Sequence, residues 1–260
     1  HMAAEMGISN LSDLAMGGYH MAYGAKVGQD SRMAISFAQT PIGFYAGNPA
    51  FGAASGNSPT ANYTMGFSSK LRDDLTAGVS FSMLDETSGL LGSSYSSNSA
   101  MGLGGNRTGQ FGVSLAYAFD DHNSLLFEAG EAVTKAAEGT GLLAGTTTLR
   151  SRSYGVTYMA RQLVNAEDRL AVSLKQPLRV ASGQVGVVTP SIDADTGVAR
   201  YGVEMVSLVP SGRELDFKMN YSTPINKVQS LSFQLGARKD VFNISGNNDF
   251  AAGATWTAAF

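Results

Sequence analysis

The sequence predicts an all-β chain: a closed antiparallel transmembrane β-barrel of 12 strands. Three observations carry that expectation. Apolar and polar residues alternate with period two through most of the chain, the apolar positions are rich in aromatic residues and methionine, and short polar turns alternate with long connections rich in glycine and serine. Only 15% of the 260 residues are charged, and no run approaches the ~18 apolar residues of a membrane helix. A barrel needs no such run, because only every second residue meets lipid and the backbone hydrogen bonds close on themselves.

Taken in order, His1-Met2 reads as a cloning scar, so the rest is expected to be an excised C-terminal domain. Residues 3–16 have helical spacing in Met6, Leu11, Leu14 and Ala15 and stop at Gly17-Gly18. So short a helix does not stand alone in water. Residues 1–30 are therefore expected to form a helical linker in the lumen, and residues 31–260 the barrel.

The first strand is expected at residues 32–38. Tyr63, Met65, Phe67 and Leu71 then alternate with Asn62, Thr64, Ser68 and Lys70, and Leu75, Val79, Phe81 and Met83 with Thr76, Gly78, Ser80 and Ser82. Only Arg72-Asp73-Asp74 separates the two, so they read as a hairpin. Phe111, Val113, Leu115, Tyr117 and Phe119 make the next strand, and a turn at residues 120–123 leads into a strand over 124–135. Tyr154, Val156 and Tyr158 follow, then a turn at 165–168 and a strand through Leu170, Val172 and Leu174. Later apolar faces are Tyr201, Val203 and Met205; Leu215, Phe217, Met219 and Tyr221; and Leu231, Phe233, Leu235 and Ala237. The total is twelve if residues 170–179 and 183–192 are separate strands. If they are one bent strand, residues 19–27 become a strand and the total is again twelve.

The composition of the two faces separates a barrel from a soluble sandwich. A sandwich also alternates, but its apolar face is a core of branched aliphatics. Here that face is aromatic and methionine-rich, while the other carries small residues and full charges, as lipid outside and a wet lumen inside require. The connections agree: the turns at 28–31, 72–74, 120–123 and 165–168 fall on one side of the strand count, expected to be periplasmic. The stretches 39–60, 85–107 and 136–147 fall on the other.

Several functions are excluded or disfavoured. The absence of cysteine removes disulfides and thiolate metal sites. The net charge of −3 argues against a nucleic-acid partner. No cofactor or metal site is expected: the glycines at 102–105 lack a following helix and lysine, and Asp193 with Asp195 reads as a turn. Beyond the tag, only His20 and His122 are present, so catalysis by the barrel is not expected.

Candidate functional residues fall into three groups. Lys175, Arg179, Arg200, Glu204, Asp216, Lys218 and Arg238 are expected to line the lumen, because on the lipid face each Arg or Lys at midplane would cost about 2 to 4 kcal/mol. Glu131 departs from this pattern, since its alternation points it toward lipid. Phe250, Trp256 and Phe260 share a face of the last strand with Ala252, Ala254 and Ala258, an ending that resembles bacterial outer-membrane barrels. In those proteins it anchors the strand at the interface and signals to the barrel-assembly machinery. Pro210-Ser211-Gly212, flanked by Arg213 and Glu214, reads first as a β-turn with charged flanks.

The stretch Gln176-Pro177-Leu178-Arg179-Val180 to Ser182-Gly183, then Leu208-Val209-Pro210-Ser211-Gly212-Arg213-Glu214-Leu215, then Arg238-Lys239-Asp240, resembles the C-terminal translocator of subtilisin-type (S8 family) serine protease autotransporters. Motifs of the form QPLRV-x-SG, L-x-PSGREL and RKD recur there in this order before an aromatic last residue. The likeness covers roughly the last ninety residues well and the rest only as barrel architecture. It implies a twelve-stranded barrel of the bacterial outer membrane with a linker through its lumen and a secreted protease passenger outside. The implied partners are outer-membrane lipids, the assembly machinery and the chain's own passenger, and a monomer is expected. A stand-alone channel and an outer-membrane enzyme are the competing readings.

Overall fold

A computed structural model describes residues 19–40, 60–87, 89–91, 93–94, 101–193 and 195–258. The helical expectation for residues 3–16, and the aromatic end at Phe260, lie outside the described residues. The described residues are all-β apart from a 3-10 turn at Val241–Asn243.

The strands are β1 (Tyr19–Lys26), β2 (Ser31–Thr40), β3 (Thr60–Arg72), β4 (Leu75–Glu86), the short β5 (Gly89–Leu90), β6 (Ser93–Ser94) and β7 (Met101–Leu103), then β8 (Asn106–Ala118), β9 (Asn123–Thr134), β10 (Gly139–Gly141), β11 (Leu143–Thr146), β12 (Leu149–Arg161), β13 (Arg169–Ser182), β14 (Gln184–Ile192), β15 (Ala199–Ser207), β16 (Leu215–Asn226), β17 (Gln229–Lys239) and β18 (Asp249–Ala258). Eleven of them form one antiparallel sheet in the order β1-β2-β3-β4-β8-β9-β12-β13-β16-β17-β18. Each strand of this sheet pairs with the sheet's next strand in sequence, so the sheet is a meander.

Of the two expected counts, the one with a bent strand over 170–192 and a strand at 19–27 is the one found, except that the segment at 201–205 lies outside the main sheet. Residues 19–27 supply a strand, since Tyr19 to Lys26 pair in register with Gln39 to Arg32. In the other region, β13 and β14 are one strand bent at Gly183, whose φ of +141° favours glycine and whose missing Cβ would run into Leu149. Beyond the bend β14 leaves the sheet and pairs with β15 and β11 in a separate three-stranded sheet. The segments at 183–192 and 200–205 are thus two arms of a projecting hairpin and not separate strands of the main sheet. Eleven strands remain there among the described residues, and no pairing joins β1 to β18.

Connections sort by length to opposite ends. Residues 27–30, 73–74, 119–122, 162–168 and 227–228 close one end of the sheet, and the long connections, including 87–105, 135–148 and 183–214, lie at the other. At that loop end a small apolar core forms from Leu90, Leu103, Leu143 and Leu149, with Leu91, Val185, Val187 and Leu208 packed against it. These residues come from three connections and from Leu149 at the start of β12, so the loops fold on one another over the ends of β4, β8, β9 and β12.

Candidate functional site

The two faces of the sheet reverse the usual relation between polarity and burial. Tyr63, Met65, Phe67, Phe81, Phe111, Val113, Leu115 and Phe127 are exposed, whereas Asn62, Thr64, Ser82, Thr108, Gln110, Thr134, Ser151 and Ser153 on the opposite face are buried. A soluble protein rarely exposes so large a contiguous apolar surface. Cross-strand ring pairs reinforce it: Phe37 and Tyr63 lie 5.1 Å apart by ring centroid, as do Phe81 and Phe111.

The apolar face ends in charge toward the loops. Arg107 Nε donates to Asp85 Oδ1 at 2.6 Å, and Glu131 lies 3.8 Å from both Arg150 and Arg152. The alternation of β9 therefore reads correctly at Glu131. That carboxylate does face outward, but three residues from the strand end, where two guanidinium groups meet it.

On the polar face a single row of the register reads Glu128, Gly155, Lys175, Asp216, Arg238, Asp249 across six strands. Lys175 reaches over Gly155 to place its Nζ 2.8 Å from Glu128 Oε2. A Cβ on residue 155 would sit 3.2 Å from Lys175 Cγ and 3.5 Å from Glu128 Oε2, so the glycine clears the path of that ion pair. Arg238 Nε donates to Asp249 Oδ1 at 2.9 Å, and its Nη2 pairs with Asp249 Oδ2. The row lies beside a cavity of about 130 Å³ lined by Gly78, Gln110, Gly130, Glu128 and Lys175 among others. Alternating charge on adjacent strands is mutually neutralising and keeps the face wet.

Four expected lining charges, Lys175, Asp216, Lys218 and Arg238, share this polar face. Three do not. Arg200 and Glu204 sit on β15, outside the main sheet, where Arg200 pairs with Asp193 at 2.9 Å. Arg179 turns to the loop end because the bulges between β12 and β13 shift its register, and there it donates from Nε to Gly212 O at 2.9 Å and from Nη2 to Pro210 O at 2.8 Å.

That contact belongs to a bracket that gathers the three sequence motifs. Gly212 N donates to Asn243 O at 2.9 Å, Arg213 N to Asp240 Oδ2 at 3.2 Å, Glu214 N to Asn243 Oδ1 at 3.1 Å, and Phe242 N to Glu214 Oε2 at 2.8 Å. Ser211 is exposed and Gly212 buried. Burial pushes the Glu214 carboxyl up, as does neighbouring Asp216, against the opposing pull of the Phe242 N–H and Arg238. The N–H groups of Gly246 and Arg213 hold Asp240 below the usual carboxylate range. Asp240, Phe242 and Asn243 all adopt left-handed φ between 51° and 58°, which non-glycine residues take only when the surroundings impose it. The turn reading of residues 210–214 is thus right but incomplete, since its carboxylate is an internal ligand for the next loop.

Phe250 and Trp256 project from the outward face of β18 at 66% and 60% exposure. Asp193 is a turn residue, accepting the N–H groups of Asp195 and Thr196 at 3.1 Å. His122 pairs with Gln162 across two short turns. Sequence reasoning missed Glu128, Gly155, Asp249 and Asn243. Asp249 was within reach, since it alternates with Phe250, but the others act only through register or loop closure.

No family model matches the chain. No curated protein sequence matches it either. Among solved structures it is similar to the crystal structure of the Pseudomonas putida toluene transporter TodX, at 11% identity, over 91% of this chain and 72% of that one, with a TM-score of 0.49.

Proposed function

We propose that the chain is the translocator unit of a type V (autotransporter) secretion protein. It forms a closed twelve-stranded barrel in the bacterial outer membrane and exports or anchors an N-terminal passenger. The observation that carries the membrane reading is the inverted burial: bulky apolar side chains exposed on one face, small polar ones covered on the other. Outward charges confined to the loop end, at Asp85, Arg107, Glu131, Arg150 and Arg152, support a hydrocarbon belt bounded by a polar rim.

The secretion reading rests on the resemblance of the QPLRV, PSGREL and RKD motifs to the subtilisin-type autotransporters, whose passenger is a protease. That these motifs meet in one bracket, through Arg179, Gly212, Glu214 and Asp240, supports reading them as one unit. The barrel itself performs no chemistry; outer-membrane lipids, the assembly machinery and the passenger are its partners, and it acts as a monomer. Phe250, Trp256 and Phe260 serve as interface anchors and assembly signal.

A compact reporter domain fused ahead of Ala3 tests this. It is expected to be cut by protease added to intact cells. A reporter that stays protected inside cells whose barrel is inserted would favour the second reading, a stand-alone channel, for which the charge row along the polar face is the supporting observation.

A further inference from the structure

The outward face carries a trough that follows from the register. One row across β1 to β4 runs Met21, Phe37, Tyr63, Met83, and the next row toward the short-turn end runs Tyr23, Ile35, Met65, Phe81. Between the two rows lies an open cavity of about 590 Å³, floored by the intervening residues Ala22, Ser36, Thr64 and Ser82. That volume falls within the roughly 300 to 1,000 Å³ of small-molecule sites.

Both rows continue onto β8, β9 and β12, and there their character changes. The first passes Gly109 and Val133 to reach Arg150, and the second passes Phe111 and Glu131 to reach Arg152. Gly109 leaves a gap in the first row, since nothing lies within 4 Å of the place its Cβ would take. One row nearer the loops stand Asp85 and Arg107, and exposed Lys135 donates its N–H to Arg107 O at 3.0 Å. Toward the short-turn end the rows Val79-Val113-Ala129-Tyr154 and Ala77-Leu115-Phe127-Val156 hold no charge.

The cations outnumber the acids beside them. Arg150 and Arg152 are exposed and share the single carboxylate of Glu131, 3.8 Å from each and too far for a hydrogen bond. Asp85 is taken by Arg107. Three guanidinium groups thus meet two carboxylates, and Lys135 adds a fourth cation. Guanidinium groups in surplus at the edge of an apolar wall fit phosphate, which they bind bidentately. Arg107 and Arg150 stand two strands apart, about 10 Å, and Met83 at the mouth of the trough is one strand, about 5 Å, from the strand of Arg107.

We propose that this wall binds one diphosphorylated acyl glycolipid from the leaflet at the loop end. One phosphate sits at Arg107 and Lys135 and the other at Arg150 and Arg152, while an acyl chain passes the gap at Gly109 into the trough. A phospholipid with a single phosphate satisfies only one of these two cation pairs. The site deepens the membrane reading under the proposed function and rests on it, by naming the lipid and the residues that select it.

The full chain, inserted into phosphatidylcholine vesicles that contain diphosphoryl lipid A, monophosphoryl lipid A or phosphatidylglycerol at equal mole fraction, is extracted into mild detergent and its bound lipid counted by native mass spectrometry. One diphosphoryl lipid A per chain is expected, retained in preference to the other two. Arg150→Gln/Arg152→Gln should lower its retention on the order of thirtyfold, as expected for two cations lost beside an anionic headgroup. Gly109→Phe, which closes the gap and leaves every charge in place, should lower it as well, whereas Arg72→Gln at the short-turn end should not. Equal retention of the three lipids overturns the proposal, as does undiminished retention in Arg150→Gln/Arg152→Gln or in Gly109→Phe. Failure of the unmodified chain to insert into any of the vesicles overturns instead the membrane reading beneath it, and the site with it.

Discussion

Asp168 shows how much one side chain can organise at a short turn. Its carboxylate accepts Leu163 N and Val164 N at 2.7 Å, Asn165 N at 3.2 Å and the Tyr221 hydroxyl at 3.0 Å, so it ties the turn between β12 and β13 to β16. Burial pushes this carboxyl up, but the three backbone N–H groups and Tyr221 outweigh it and hold it below the usual range. A depressed folded value means the stabilisation is complete above the unfolded value of ~3.9 and is lost as pH falls through the folded one. Protection of the Leu163 and Val164 amides against hydrogen exchange should therefore persist at neutral pH and collapse in strong acid. In Asp168→Ala it should be low throughout; equal protection in the two proteins would refute the role. The sequence announces the turn, through the polar run at residues 165–168, but not this ligation, which requires Tyr221 from a strand far along the chain.

At the scale of elements, the bracket joins β13, β16, β17 and the loop before β18. Arg179 is its clamp, donating to two carbonyls that close the 210–212 turn. Hydrogen bonds from a charged donor contribute about 1.5 to 3 kcal/mol, so Arg179→Met should lower the local stability of residues 210–214 and 240–243 by roughly that amount. Faster exchange at the Gly212 and Phe242 amides, with β3 and β4 unchanged, is the expected result. Unaltered rates at both amides would show that the clamp is passive. The strands themselves were legible from period-two alternation, and the face of each expected residue on β3, β4, β8, β16 and β17 is as read. The β15 arm was misassigned to the main sheet because Tyr201, Val203 and Met205 alternate as cleanly as a strand of that sheet, whereas the bend from β13 into β14 was one of the two expected readings. Nothing local in Gly183 says that the strand bends out of the sheet; that depends on Leu149 filling the space where a Cβ would be.

For the whole molecule, the asymmetry of the two faces makes a directional prediction. Phe111→Lys, in the middle of the outward face, should cost about 2 to 4 kcal/mol of folding stability in bilayers. Gln234→Lys, on the polar face of β17, should be nearly neutral. Denaturant titration of both variants in lipid vesicles checks this, and equal effects would contradict the assignment of lipid to the aromatic side.

Alternation, residue type and connection length were enough to determine from sequence that this chain is an antiparallel β-meander with one apolar and one polar face. Those properties follow from the two-residue pleat, which is local. Tertiary structure alone decided which charges meet. Lys175 reaches Glu128 because β12 places a glycine between them, and Arg179 leaves the lining because a bulge turns it to Pro210 and Gly212. It also decided which of the described strands pair in the main sheet and which leave it. Register and strand parity are sums over the whole chain, so a single bend at Gly183 changes both while leaving every local pattern intact.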